Sequence, residues 1–251
     1  MIDALVLAGS PNDGLLKDCS SAKFEALIPI GERTMVEYVV EALRQSKKIG
    51  QVVVVGPREL SALLSPRGVK VVAPKKTVME NIYYGFQHLP NAQRALVVTS
   101  DIPLITSETI DNFINLCGDC KSDLYFPAVP KDAVEKKFPL VKRTYVKLRE
   151  GTFTGGNVFM VNPAVVPKCL DIGQRFVEMR KSPLKLCGML GVKFLIKFIT
   201  NSLTLEEVEQ KASAVLGIRG RVVICSFPEL GVDIDKPSDL SLAMEALGVS
   251  T

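Results

Sequence analysis

Apolar residues in the first half of the chain fall into short blocks with two alternating spacings. Residues 2–8 form a near-continuous apolar run, and residues 51–55 contain four consecutive valines. Runs this short, bounded by glycine, predict strands buried on both faces of a parallel sheet. Residues 69–72 and 95–99 repeat the pattern. Between the runs the spacing becomes helical. In residues 34–47, Met35, Val39 and Leu43 fall on one face, and Thr34 with Glu37 forms a capping box at the start. A short helix is predicted over 58–64. Another is predicted over 77–89, opened by a second box of Thr77 with Glu80. A fourth is predicted over 108–116, after a Thr106/Ser107 cap. This βαβαβαβα order predicts an α/β fold: a mostly parallel, Rossmann-like sheet with right-handed crossovers.

Beyond residue 120 the pattern changes. Residues 123–129 read as a strand. Residues 131–149 carry seven basic residues and read as a strand pair projecting from the sheet, a small antiparallel extension that is either solvated or in contact with an anionic ligand. Gly155, Gly156 and Asn157 form a turn before another strand that ends at 161. Residues 163–217 are mostly helical and contain a third capping box, Thr204 with Glu207. Residues 221–226 return to strand and 235–247 close with a helix. No repeat or low-complexity linker divides the 251 residues. The expectation is one domain over 1–251 with a mainly helical insertion at about 163–217. Within it, Lys185, Lys193 and Lys197 share a helical face beside Leu186, Leu190, Phe194, Leu195 and Phe198. That face reads as a helix covering the sheet or making a homodimer contact, with a membrane surface as the alternative.

Composition narrows the chemistry. A single histidine, His88, excludes sites that need two imidazoles, and no Gly-x-Ser-x-Gly accompanies it. It reads instead as a partner of a helix C-terminal dipole. The net charge of +4, without a basic tail, suits an anionic small molecule; no nucleic-acid partner is expected. Six unpatterned cysteines, with no signal peptide in view, read as reduced thiols in a cytoplasmic protein. Cys117 and Cys120 lack the second Cys or His pair of a zinc site. No apolar run reaches the roughly 18 residues of a membrane span, so no transmembrane segment is expected.

In an open α/β sheet, ligands bind at the carboxyl ends of strands where strand order reverses. With the first strand central and the fourth beside it, the loop at Gly9 faces Asp101. In Leu7-Ala8-Gly9-Ser10, a glycine after a buried strand lets backbone N–H groups approach a phosphate, or simply makes a surface turn. In Ser100-Asp101-Ile102-Pro103, an acid at a strand end either holds Mg²⁺ or caps a turn. In Gly231-Val232-Asp233-Ile234-Asp235-Lys236-Pro237, Asp235 occupies a helix N-cap position, a role compatible with ligating a metal.

Five segments in this order resemble the MobA-like NTP transferases and, more widely, the sugar-phosphate nucleotidyltransferases with a glycosyltransferase-A-like fold. The segments are Leu7-Ala8-Gly9, Ala26-Leu27-Ile28-Pro29-Ile30-Gly31, the stretch from Met35 to Leu43, Asp101-Ile102-Pro103-Leu104, and the stretch from Asp233 to Leu240. The resemblance implies a nucleoside triphosphate lying across Leu7, Ala8, Gly9 and Ser10, with Asn81 and Ser100 beside it. It implies Mg²⁺ held by Asp101 and Asp235, and a small phosphorylated acceptor near Gly155, Gly156 and Asn157. The acceptor would attack the α-phosphorus and pyrophosphate would leave. The family pattern places a phosphate-contacting lysine where this chain has Glu25; Lys23 stands two residues earlier and is the expected substitute. The alternatives are a glycosyltransferase using a nucleotide sugar, or a non-catalytic protein that binds nucleotide or sugar phosphate.

Overall fold

The computed structural model describes residues 1–179 and 182–249. Along the chain run β1 (Ile2–Leu7), β2 (Pro29–Ile30), β3 (Arg33–Thr34), α1 (Met35–Gln45), β4 (Ile49–Val55), α2 (Leu60–Leu64), β5 (Lys70–Val72), α3 (Val78–Phe86), β6 (Ala95–Thr99) and α4 (Ser107–Leu116). There follow β7 (Leu124–Pro130), α5 (Lys131–Lys137), β8 (Val146–Leu148), β9 (Gly151–Gly155), β10 (Val158–Val161), α6 (Leu170–Met179), α7 (Pro183–Leu190), α8 (Val192–Ile199), α9 (Leu205–Leu216), β11 (Gly220–Ile224) and α10 (Pro237–Ala246).

Among the described residues, nine strands form one sheet in the order β5-β4-β1-β6-β10-β7-β9-β8, with β11 also pairing with β7. The first four strands are parallel, and β10 joins β6 antiparallel. Alternation of side chains across the pleat explains the valine run. Ala4, Val6, Val52, Val54, Leu96 and Val98 face α1 and α4, meeting Met35, Val39, Leu43, Ile110 and Phe113. Leu5, Val53, Val55 and Val97 face the other way, toward Phe86 and Leu89. Each fully buried Val or Leu contributes on the order of 1.5–3 kcal/mol relative to exposure, so both faces fix the register. The capping boxes of α1, α3 and α9 all form, with Thr34, Thr77 and Thr204 as caps.

The second half departs from the sequence expectation in one segment. Residues 131–149 are not a strand pair: α5 occupies the first part, and only β8 pairs, antiparallel, with β9. Pro130 at the N-cap, Asp132 in the first turn, and Lys136 and Lys137 in the last turn complement the helix dipole. Just past α3, burial, aided by Lys70, lowers the pKa of His88, and its ring packs edge-on against Tyr84 at 5.1 Å between centroids. The six cysteines are free.

Candidate active site

The order β4-β1-β6 places the carboxyl ends of β1 and β6 side by side, Leu7 beside Thr99 in register. The Ser100 N–H donates to the Leu7 carbonyl (3.1 Å), and the Ala8 N–H to the Val55 carbonyl (2.8 Å). Gly9 follows. A Cβ there would lie 3.0 Å from the Pro74 Cβ, so close packing against the loop after β5 favours glycine. Asn81 holds that loop: its Oδ1 accepts from the Lys75 N–H at 2.5 Å. The loop beyond Gly9 is closed by the segment before Ala26. The Glu25 N–H donates to the Ser10 carbonyl (3.1 Å) and the Asn12 N–H to the Lys23 carbonyl (2.9 Å). The Asn12 Nδ2 donates to the carbonyls of Ser20 and Ala22, each at 3.0 Å. The Lys23 side chain is exposed beside this loop.

Opposite it, Asp101 turns out of β6. The Thr99 hydroxyl donates to its Oδ1 at 2.5 Å, and its backbone carbonyl accepts from the Ile234 N–H at 2.8 Å. That bond lays residues 232–235 along the end of the sheet. Val232 and Ile234 are fully buried, so the intervening Asp233 and Asp235 face the other side. Asp101, Asp233 and Asp235 each offer a carboxylate oxygen within 4.8 Å of the others. The structure thus brings together the two acids singled out from sequence and adds a third. The signal for Asp233 was present in the apolar–acid alternation of Val232-Asp233-Ile234-Asp235. The N-cap of α10 is Lys236, not Asp235; the Asp235 N–H instead donates to the buried Asp239 carboxylate at 3.3 Å.

The electrostatics follow from this crowding. Burial first, then the charge of Asp233, pushes the Asp101 carboxyl from its ordinary 3.8 up to about 7. The Thr99 hydrogen bond pulls the other way, while Asp235 and Glu25 add smaller upward pushes. Arg143, ninety residues away in sequence, sits on the same cluster: its Nη1 donates to Asp233 Oδ1 at 2.6 Å and its Nη2 to the Asp233 carbonyl. The Arg143 side chain is only 8% exposed, so the pair is screened little by water. Lys137 makes a similar ion pair with the buried Glu229. Two of the seven basic residues of 131–149 are therefore spent on the loop after β11.

Gly155, Gly156 and Asn157 also reach this end of the sheet. The Thr99 N–H donates to the Asn157 carbonyl (3.1 Å), and the Asn157 N–H to the Leu230 carbonyl (2.7 Å). A Cβ on Gly156 would lie 2.8 Å from Pro127 Cγ and 3.0 Å from the Leu230 carbonyl oxygen. The tight strand crossing explains this glycine without a ligand.

A mostly parallel α/β sheet that reverses order beside β1, with three acids at that reversal and a glycine loop facing them, defines the class as a nucleotidyltransferase-type fold. The MobA-like NTP transferase domain family matches residues 5–170, and this chain belongs to that family. A structure described as a hypothetical transferase from Thermus thermophilus is 35% identical, covers 95% of this chain and 99% of its own, and has a TM-score of 0.82. A nucleotidyl transferase from Methanothermobacter thermautotrophicus shares the fold at 16% identity and TM-score 0.61, over 99% of this chain and 98% of its own. A CMP:2-keto-3-deoxy-manno-octonic acid synthetase, solved with CTP, shares it at 13% identity and TM-score 0.60, over 98% of each chain. Comparison with curated protein sequences found no match. No helix among the described residues is long and apolar enough to cross a membrane.

Proposed function

We propose that this protein is a cytoplasmic, Mg²⁺-dependent nucleotidyltransferase. In this reading it transfers a nucleoside monophosphate from a nucleoside triphosphate to a small phosphorylated acceptor and releases pyrophosphate. The observation that carries the reading is the convergence of Asp101, Asp233 and Asp235 within 4.8 Å. Their chemistry fits a hard cation. Burial and mutual repulsion push Asp101 to about 7, an excess of negative charge that a divalent ion would offset. Three carboxylates with oxygens within 4.8 Å of one another would be able to hold one small hard cation. Asp101 and Asp235 would hold the ion, with Asp233 alongside, fixed by Arg143. When bound, the ion would supply Lewis acidity and neutralise phosphate charge.

The chain itself would position the reactants. Backbone amides beyond Gly9 would line the triphosphate, close to Ser100, with exposed Lys23 beside them. Asn81 would act through the Pro74 loop that packs on Gly9. Gly155, Gly156 and Asn157, tied to Thr99, would border the acceptor. An acceptor phosphate oxygen would attack the α-phosphorus. The new P–O bond forms as the α–β bridging bond breaks, and pyrophosphate leaves with that electron pair. One observation favours a second reading. Glu25 adds negative charge to the Asp101 environment, which suits a protein that binds nucleotide or sugar phosphate without turnover. The test is pyrophosphate release in a screen of nucleoside triphosphates against phosphorylated acceptors. Mg²⁺-dependent release is expected. Nucleoside diphosphate released from a nucleotide sugar would indicate a glycosyltransferase instead, and ligand binding without turnover would establish the second reading.

A further inference from the structure

Helices α7 and α8 present two faces of different character. Phe194 and Phe198 point inward and pack with Leu148, Phe153 and Leu203, holding α8 against the β8–β9 edge of the sheet. Outward, Val192, Ile196 and Ile199 recur at i, i+4 and i+7, the spacing of one helical stripe. They are 72%, 55% and 61% exposed. Leu184 of α7, 57% exposed, lines the same surface cavity as Ile199 and extends the stripe onto the second helix. Single exposed aliphatics are ordinary; four on one face of a helix pair mark a surface that something covers.

Charge decides what covers it. Lys185 and Lys193 are exposed on these two helices, while Lys197 is answered by Glu207 of α9. Residues 182–205 contain three bases and no Asp or Glu. A second copy seated on this face by two-fold symmetry would set lysines near lysines, because an isologous interface repeats the same patch. An anionic lipid surface satisfies both features: aliphatic side chains enter the headgroup–acyl boundary while lysine stems snorkel to the phosphates. We propose that the outer face of α7 and α8 docks this protein peripherally on anionic membranes. The inference is independent of the chemistry at the aspartate cluster.

The test is co-sedimentation of the full chain with phosphatidylcholine vesicles, with and without phosphatidylglycerol, at low and high salt. The expected result is binding only to the phosphatidylglycerol vesicles, weakened by salt as the surface potential is screened. Ile196→Asp should weaken that binding by about tenfold or more, since it removes a buried aliphatic anchor and adds a repelled charge. Lys193→Glu should weaken it less, with an unchanged melting temperature in both variants. Binding to neither vesicle type, or equal binding to both, overturns the proposal. So does a dimer in sedimentation velocity that Ile196→Asp dissociates, because a second copy would then cover the face.

Discussion

The two halves of the sheet meet at the candidate site and contribute opposite things. The parallel half, β5-β4-β1-β6, delivers shape. Its strand ends are fixed by apolar packing on both faces, and its Gly9 loop is held by backbone hydrogen bonds and the uncharged amides of Asn12 and Asn81. Its charged contributions are Asp101 at the end of β6 and, from the loop after β1, Lys23 and Glu25. The half from β10 to β11 delivers charge: Arg143 from the lead-in to β8, and Asp233 and Asp235 from the loop after β11. Apolar packing can build a rigid pocket but cannot hold a phosphate or a cation. Charges can, but they need a rigid frame to be brought within 5 Å of one another against their repulsion. The seam between β6 and β10 is where frame and charge combine.

Removing the charge at the seam should have the largest effect. Asp101→Asn keeps size and the Thr99 contact but removes a ligand. Nucleotidyl transfer should fall by about a thousandfold, a loss of roughly 4 kcal/mol of transition-state stabilisation, with the fold retained. Steady-state pyrophosphate release with a parallel melting curve checks both. Breaking the ion pair within the charged half should cost stability next. Arg143→Met leaves Asp233 partly buried without its cation, and urea denaturation should show a loss of about 3 kcal/mol.

A pH experiment separates frame from charge without mutation. The Asp101 carboxyl titrates near 7 when folded and near 3.8 when free. Over that interval the folded state holds a proton that the unfolded state has lost, so the stability of the metal-free protein should decline as pH rises from about 4 to about 7. Above about 7 the full cost remains, and Mg²⁺ should recover it. Melting curves across this range, with and without Mg²⁺, should show the divergence; Asp101→Asn should flatten the metal-free curve. The smallest effect is expected from the frame. Gly9→Ala places a Cβ at 3.0 Å from Pro74, and the loop can shift by a few tenths of an ångström. Thermal denaturation should register about 1 kcal/mol.

The same division governs what the sequence reveals. The frame was legible because its signals are local. Four valines in a row require two covered faces, Thr34 and Thr77 open helices with their glutamates, and Gly9 marks the turn beyond β1. Once the first strand is taken as central, Gly9 and Asp101 face each other, and the fold does place β1 between β4 and β6. The charged half was less legible because its partners are distant. The Arg143–Asp233 pair links residues ninety positions apart and leaves no periodicity to read. The basic excess of 131–149 suggests a strand pair, either solvated or in contact with an anionic ligand. In the fold, its helix follows from the order Pro130, Asp132, Lys136, Lys137, and three of its bases, Lys131, Lys137 and Arg143, answer acids of the chain itself. Asp233 was passed over although the burial of Val232 and Ile234 dictates that it shares a face with Asp235.

The measurement that reaches the central claim most directly is a Mn²⁺ titration of the full chain, followed by the electron paramagnetic resonance signal of the free ion. Mn²⁺ serves as a spectroscopic stand-in for Mg²⁺, taking the same oxygen ligands. The wild-type protein should bind the ion with nucleoside triphosphate present, and Asp101→Asn and Asp235→Asn should each lower the affinity at least about tenfold, the scale expected when a ligand or its support is lost. Equal Mn²⁺ affinity in all three proteins would contradict the account, because the divalent ion would then be held somewhere other than the carboxylates that meet at the seam.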